Sequence, residues 1–287
     1  MSITINELYM EIRKKFRAAN ISMAELEARE LTAFVTKTDK HMTANWAYCY
    51  LDDNTVEKAR QMTNRRLNNE PLAYILGEWD FYGYTFIVNK NVLIPRSDTE
   101  TLCELAIEDA KTLENPKVID VCCGSGCIGL ALAAQVPNAR VVAVDISEDA
   151  LAVSRENARR LGVINRYSTS IGNALDKPNE HLGKFDIMLC NPPYITTNEM
   201  KELDKSVYDY EPHLALFGGT DGLEFYRNIA KNWVKMMNKG GRMYFECGYK
   251  QASDVANIFK NLGMSDIFVA EDLSGIQRIV VIKAKNI

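Results

Sequence analysis

The stretch Asp120-Val121-Cys122-Cys123-Gly124-Ser125-Gly126 closes an apolar run at 118–121 and leads into a helical pattern over 128–136. Strand, glycine-bearing turn and helix in that order leave side chains out where a ligand can approach the backbone and the helix N-terminus. Outward from this turn, short apolar strands recur at 141–144, 167–171 and 185–190, with a second helix over 149–161. Parallel strands need long crossovers, so this alternation predicts an α/β fold, a mainly parallel sheet with helices on both faces. Ligands then bind at the carboxyl ends of the strands. The last quarter reads as a helix from about Gly222, a strand at 242–246, another helix, and strands at 267–269 and 276–282. The last two lie close in sequence, which predicts an antiparallel C-terminal edge.

Upstream, the first seventy residues read as helices only. Ile5, Leu8, Ile12 and Phe16 recur at three- and four-residue steps and share one helical face. Ser22 and Glu25 have capping-box spacing and are expected to open a helix with Leu26, Leu31, Phe34 and Val35 apolar. Asp53 or Asn54 is expected to cap a third helix that ends near Asn68-Asn69. From Pro71 the pattern changes, because Phe81-Tyr82-Gly83-Tyr84-Thr85-Phe86-Ile87-Val88 is aromatic and β-branched around a glycine, as in a short hairpin.

Composition narrows the class. With 287 residues, 47% hydrophobic, the chain can bury one large and one small core. A net charge of −4 with 25% charged residues lacks the basic excess of a nucleic-acid clamp. Seven unevenly spaced cysteines make no disulfide framework and suggest a reducing compartment, the cytoplasm. Charges among the first thirty residues break up any secretory h-region, and no apolar run approaches the length of about 18 residues that a membrane span needs.

The chemistry begins at the quoted turn. Asp145 ends the strand after it, placed to accept hydrogen bonds from ribose hydroxyls. Together these make a nucleoside site without saying which nucleoside. Gly124-Ser125-Gly126-Cys127-Ile128-Gly129 also fits the dinucleotide fingerprint, with Asp145 near the offset of about 20 residues expected of an NAD ribose acid.

Asn191-Pro192-Pro193-Tyr194, directly after the strand 185–190, discriminates. Two prolines lack amide protons and restrict the backbone, which leaves carbonyls to accept from a substrate nitrogen; Asn191 offers a side-chain oxygen in the same way. A planar NH2 group held by two acceptors has both protons engaged, and its lone pair can be turned towards an electrophilic methyl group. Tyr194 would stack on that group and shield the methyl from water. No general base is required at the start, because the methylated nitrogen becomes cationic before it loses a proton. Orientation and electrostatics then carry the catalysis, with S-adenosylmethionine as the methyl donor.

With these residues in place, the sequence resembles, over nearly its whole length, the bacterial protein-(glutamine-N5) methyltransferases that modify peptide chain release factors. Besides the residues from Asn191 to Tyr194, the likeness rests on Pro71-Leu72-Ala73-Tyr74-Ile75-Leu76-Gly77, Phe81-Tyr82-Gly83, Val92-Leu93-Ile94-Pro95-Arg96, Tyr210-Glu211-Pro212 with Leu214-Ala215-Leu216, Gly218-Gly219-Thr220-Asp221-Gly222-Leu223, and Tyr226-Arg227. It implies a small all-α substrate-recognition domain at 1–73, a β-hairpin linker at 74–95 and a Rossmann-like class I methyltransferase domain at 96–287. By motif position, Asn191 and the Pro192 carbonyl hold the glutamine amide of the release factor's Gly-Gly-Gln loop, with Pro193 beside them and Tyr194 packed against it. Cys122, Cys123, Gly124, Ser125 and Gly126 line the methionine portion of the cofactor, Asp145 takes its ribose, Asn173 and Ala174 flank adenine, and Asn191 borders the cofactor as well. Three departures stand out. Cys122 occupies a position where relatives usually carry glycine, so a β-compatible turn is expected there. Pro95-Arg96-Ser97-Asp98-Thr99-Glu100 replaces a Pro-Arg-Pro-Glu-Thr-Glu run, and Asn173 stands where an acid is common.

Other readings are weaker. Cys122, Cys123 and Cys127 lack a second cysteine pair, and His41, His181 and His213 are scattered, so no metal is expected. Cys190 and Cys247 end apolar strands and read as packing rather than nucleophiles. Lys58, Arg60, Arg65 and Arg66 form a modest basic face on the third helix, read as solvated surface with a partner contact as the sharper option. Glu211 and His213 read as part of a pocket-shaping loop rather than an acid and base pair. A DNA or RNA base amino-methyltransferase shares the planar-NH2 logic, but phosphate neutralisation asks for basic and aromatic segments that are missing. An NAD oxidoreductase or a non-catalytic nucleotide-binding protein explains the glycines and leaves Asn191 to Tyr194 without a task. The expectation is thus a monomer with a protein substrate and no direct nucleic acid or membrane partner.

Overall fold

A computed structural model describes residues 3–39 and 47–285; His41 lies outside the described residues. The chain forms two compact units, Met1–Gly77 with Lys205–Tyr210, and Glu78–Asp204 with Glu211–Ile287.

The first unit is helical: α1 (Ile5–Ala18), α2 (Ala24–Thr36), α3 (Asp53–Leu67) and the short α4 (Leu72–Leu76). Ile5, Leu8, Ile12 and Phe16 are buried on one stripe of α1, as their spacing requires, against Ala28 and Leu31 of α2 in the same core. Full burial of each large side chain contributes about 1.5–3 kcal/mol. Two caps differ from expectation. Met23, not Ser22, precedes α2 and no side chain caps it; Glu25 pairs with Arg17 and does not reach back. Asp52, not Asp53 or Asn54, caps α3: its carboxylate accepts from the Thr55 amide at 2.9 Å, and Asp53 is already helical. The capping box forms on α1, where Thr4 and Glu7 satisfy each other's amides. The basic face of α3 is largely neutralised inside this unit. Arg60 pairs with Glu11 at 3.0 Å, Arg65 with Glu70 at 2.5 Å and Arg66 with Glu27 at 2.5 Å, while Lys58 lies over the Phe34 ring.

The second unit opens with the hairpin β1 (Glu78–Phe81) and β2 (Tyr84–Ile87). Tyr82 and Gly83, both at positive φ, supply the tight turn that matches strand twist. Then follow α5 (Glu100–Lys111), β3 (Lys117–Val121), α6 (Cys127–Gln135), β4 (Arg140–Asp145), α7 (Glu148–Arg160), β5 (Tyr167–Ile171) and β6 (Phe185–Cys190). The short helix α8 (Lys205–Tyr208) belongs to the helical unit, where the Tyr210 hydroxyl donates to the Asn68 carbonyl at 2.7 Å. The chain ends with α9 (Glu224–Asn232), β7 (Met237–Glu246), α10 (Ala252–Lys260), β8 (Ile267–Glu271) and β9 (Gln277–Lys283).

Seven strands form one sheet in the order β5-β4-β3-β6-β7-β9-β8. The first five run parallel, and β9 pairs antiparallel with both β7 and β8, which is the expected edge. Period-two alternation divides the core between the two faces. Val118, Ile187 and Tyr244 face one cluster with Leu102, Leu130 and Leu151; Ile119, Met188 and Phe245 face another with Tyr226, Trp233 and Phe259. Among the described residues no helix is long and apolar enough to cross a membrane.

Candidate active site

After β3 the chain proceeds outward to β4 and β5, then returns to place β6 on the other side of β3. This reversal opens a crevice at the carboxyl ends of β3 and β6, where α/β sheets bind ligands. The loops after these strands are 122–126 and 191–194. A cavity of 290 Å³ lies between them.

In the first loop Cys122, Gly124 and Gly126 stand at φ 62°, 53° and 79°. The β-compatible turn expected at Cys122 is therefore not found: a side-chain-bearing residue keeps the left-handed backbone. Such a conformation costs about 1–2 kcal/mol and persists only where the surroundings impose it. Here the Cys123 amide donates to the Val144 carbonyl at 3.1 Å, the Gly126 amide to the Cys123 carbonyl at 2.8 Å, and the Gly124 amide to Asp145 Oδ2 at 2.9 Å. Gly126 is required on a second count, since a Cβ would lie 2.6 Å from Ser154 Oγ and from Tyr167 Oη. Asn157, fully buried on α7, donates to the Ser125 and Ile87 carbonyls at 3.0 Å each and accepts from the Ile87 amide at 2.7 Å, which ties the loop to the hairpin.

Asp145 also accepts from the Ser147 amide at 2.9 Å through Oδ1. Each carboxylate oxygen thus has one protein donor and keeps acceptor capacity for a ligand hydroxyl. Burial raises its pKa, and the amides of Ser147 and Gly124 oppose the rise. Asn173 accepts from the Leu175 amide at 3.0 Å and donates to Asp176 at 3.1 Å, so it shapes the turn after β5; Asn173 and Ala174 both line the cavity. Below the loop, buried Asp120 accepts from the Gly129 amide at 3.0 Å. Desolvation, helped by the nearby Asp145 charge, pushes its carboxyl up to about 7.

The second loop is held from outside. The Ile195 amide donates to the Leu216 carbonyl and the Gly218 amide to the Ile195 carbonyl, both at 2.9 Å. A Cβ on Gly218 would sit 2.6 Å from the Pro193 carbonyl oxygen, and one on Gly222 would land on the Tyr194 carbonyl oxygen. That oxygen also accepts from Gln251 Nε2 at 3.0 Å. Asn191 Nδ2 donates to Thr99 Oγ1 at 3.4 Å, and the Tyr194 hydroxyl to Glu246 Oε1 at 3.4 Å.

Of the residues singled out in the sequence, Cys122, Cys123, Gly124, Ser125, Asp145, Asn173, Ala174, Asn191 and Pro193 meet around this cavity. Gly126, Pro192 and Tyr194 do not line it; Tyr194 packs against the second core cluster. Two wall segments had no assigned contact with a ligand: Val92, Ile94, Pro95 and Thr99 on one side, Pro212, Leu214 and Ala215 on the other. Glu211 joins them, accepting from the Ile94 amide at 3.2 Å and pairing with Arg96 at 2.5 Å. It is thereby a structural anchor of the pocket. The signal for both walls was present in the motifs at 92–96 and 210–216, which are too irregular for helix or strand periodicity to explain. Burial pushes the Cys123 thiol well up and that of Cys127 up to about 12, which suits packing rather than nucleophilic attack. Among the described residues no cluster of His, Cys, Asp and Glu is arranged to hold a metal.

Comparison with known proteins agrees with this geometry. Residues 113–263 match a methyltransferase domain family and residues 7–77 the PrmC N-terminal domain family. The chain is 38% identical to a release factor glutamine methyltransferase of Clostridium acetobutylicum over 89% of this chain and 90% of that one. A protein of the same description from Geobacter sulfurreducens is 40% identical over 80% and 79% of the two chains. A bifunctional methyltransferase of Rickettsia typhi is 35% identical over the whole of this chain, which spans only 58% of that relative's length. Among solved structures, the hMettl16 catalytic domain superposes with a TM-score of 0.56 at 15% identity over 88% of this chain and 91% of that one, a likeness of fold.

Proposed function

Because this chain belongs to the release factor glutamine methyltransferase family, we propose that it methylates the side-chain amide nitrogen of the glutamine in the Gly-Gly-Gln loop of peptide chain release factors. The observation that carries the reading is the meeting of loops 122–126 and 191–194, with Asp145, around one cavity at the switch point of the sheet. The residues fit S-adenosylmethionine. The glycine at 124 leaves room for a ligand against the loop, Asp145 offers acceptors to ribose hydroxyls, and Ala174, Leu175 and Ile146 give an apolar wall for a flat base. When bound, this cofactor supplies an electrophilic methyl group.

The protein's own work is orientation. Asn191 Oδ1, at the cavity wall, and the carbonyl of the adjoining Pro192, which is not itself part of that wall, accept the two protons of the glutamine NH2 and aim its lone pair at the methyl group; Pro193 walls the cavity beside Asn191. Tyr194 packs behind this turn and keeps it dry. Positive charge that develops on nitrogen is met by the same two acceptors, and the proton leaves once the nitrogen is alkylated. The helical unit at 1–73 recognises the release factor, the segment 74–95 links it, and 96–287 carries the chemistry.

The test is transfer of label from radiolabelled S-adenosylmethionine to purified release factor, to its glutamine-to-alanine loop variant, and to duplex or ribosomal nucleic acid, followed by mass mapping. Label confined to the release-factor glutamine is the expected result. Label on nucleic acid would reassign the enzyme to base methylation, and cofactor binding without transfer to any of them would sink the proposal.

A further inference from the structure

A second cavity, of 440 Å³, lies at the amino ends of the parallel strands, the opposite end of the sheet from the candidate active site. About 16 Å of strand separates Arg140, where β4 begins, from Asp145, where it ends. The opening has a structural cause. Helices normally cover both faces of a parallel sheet, yet the crossover 172–184 from β5 to β6 contains no α-helix. Helix α7 packs with Val141 and Tyr167 on one face of β4 and β5. On the other face Val142 is half-buried and Ser168 exposed, and both line the cavity with Leu182 and Lys184 of that crossover.

The charges there are of one sign. Lys117 and Arg140 are register partners at the starts of β3 and β4, so their side chains leave the sheet next to each other. Like charges directly opposite one another destabilise a strand pair. Among the described residues neither the Lys117 ammonium nor the Arg140 guanidinium has a hydrogen-bond or ion-pair partner, and no carboxylate lines the cavity. Asp186, beside Lys117 on β6, is already engaged: its Oδ2 accepts from the Lys117 amide at 2.9 Å and its Oδ1 from Asn238 Nδ2 at 2.6 Å. Two more cations are anchored at the rim, Lys184 by the Lys235 carbonyl and Arg166 by the carbonyls of Ala133, Val136 and Ala139. In a chain of net charge −4 this group is a local exception.

An anion set between Lys117 and Arg140 removes their repulsion. Phosphate oxygens suit both, accepting two bonds from a guanidinium and meeting an ammonium as a point charge. Val142 and Leu182 add an apolar surface beside the cations, and a concave cavity of this size suits a nucleotide-sized molecule rather than a duplex. We propose that this cavity binds a small polyphosphate, of the nucleoside triphosphate class, whose phosphates are held by Lys117 and Arg140. The site is separate from the proposed methyl transfer and does not rest on it.

Two measurements on the full chain test it. In the first, calorimetry at low ionic strength follows adenosine triphosphate and inorganic triphosphate, with excess S-adenosylmethionine present to keep nucleotide out of the first cavity. Both should bind and adenosine alone should not. Lys117→Gln with Arg140→Gln should weaken Kd at least about tenfold, while Lys117→Arg with Arg140→Lys should hold it within about threefold. Lys231→Ala with Lys260→Ala, an equal loss of charge on exposed lysines elsewhere, should also leave it within about threefold. Tighter binding of the nucleotide supports the proposal with a role for the apolar surface, and equal binding supports it with phosphate as the recognised group. In the second, acetylation of the wild type is mapped by mass spectrometry, and adenosine triphosphate should slow modification of Lys117 but not of Lys260. Absence of binding by both phosphates, equal weakening in the Lys231 and Lys260 variant, an unprotected Lys117, or tighter binding of a single-stranded RNA than of the nucleotide overturns the inference.

Discussion

Loop 122–126 takes its shape from its own backbone and from groups within the next three elements, whereas loop 191–194 is also held by groups as distant in the chain as Gln251 and Thr99. In the first, left-handed residues make the turn, and Asp145 and Asn157 fasten it from β4 and α7. In the second, the 216–222 segment and Gln251 fasten the backbone while Thr99 and Glu246 hold the side chains. Under the proposed function, this difference implies that the cofactor and substrate sides of the cavity should fail separately. Damage to the first loop should appear in cofactor affinity and fold stability, and damage to the second in turnover.

The largest effect should come from Asn191→Ala. Loss of one oriented acceptor should lower turnover by about 10²–10³-fold, with cofactor binding by calorimetry little changed. Parallel loss of cofactor affinity would break the division between the loops. Next comes Gly222→Ala, at φ 73°, where the new methyl must displace the Tyr194 carbonyl. A misplacement of roughly 1 Å costs on the order of 10² in rate, so turnover should fall steeply in steady-state kinetics while cofactor Kd holds.

Gly126→Ala probes the other side. Its φ of 79° and its approach to Ser154 and Tyr167 should cost at least about 2 kcal/mol, a fall in Tm of roughly 4–8 °C. Cofactor affinity should weaken with it, and a scanning calorimeter and a titration read the two effects together.

The smallest effect concerns pH. Asp120 binds its proton more tightly when folded, its pKa standing at about 7 against 3.8. The folded state therefore carries the extra proton between those values, and this group's contribution, full at low pH, is lost as pH rises towards 7. Asp120→Asn should flatten that decline, measured as urea unfolding at pH 5 and pH 7. An unchanged difference between the two pH values would show that Asp120 is already ionised in the folded protein.

Much of this was legible before the fold was known. β5 and β6 run over the stretches read from the sequence, and β3 and β4 differ by a residue at their ends; β3, β4 and β6 are apolar runs bounded by turns, while β5, Tyr167-Ser168-Thr169-Ser170-Ile171, is a half-exposed edge strand. The observed caps on α2 and α3, Met23 and Asp52, each lie one residue from an expected position, because several residues compete at a helix start. The basic face on α3 looked free because its acidic partners, Glu11, Glu27 and Glu70, come from outside that helix.

Sequence alone determined the order of strands and helices and the antiparallel edge, since these follow from periodicity and from the spacing and chirality of the connections. Only the tertiary structure decided that Cys122 keeps a left-handed backbone, that Tyr194 sits behind the cavity rather than in it, and that Glu211, Thr99 and Glu246 support the site. Those outcomes depend on which distant groups share a hydrogen bond, and spacing along a chain does not encode that.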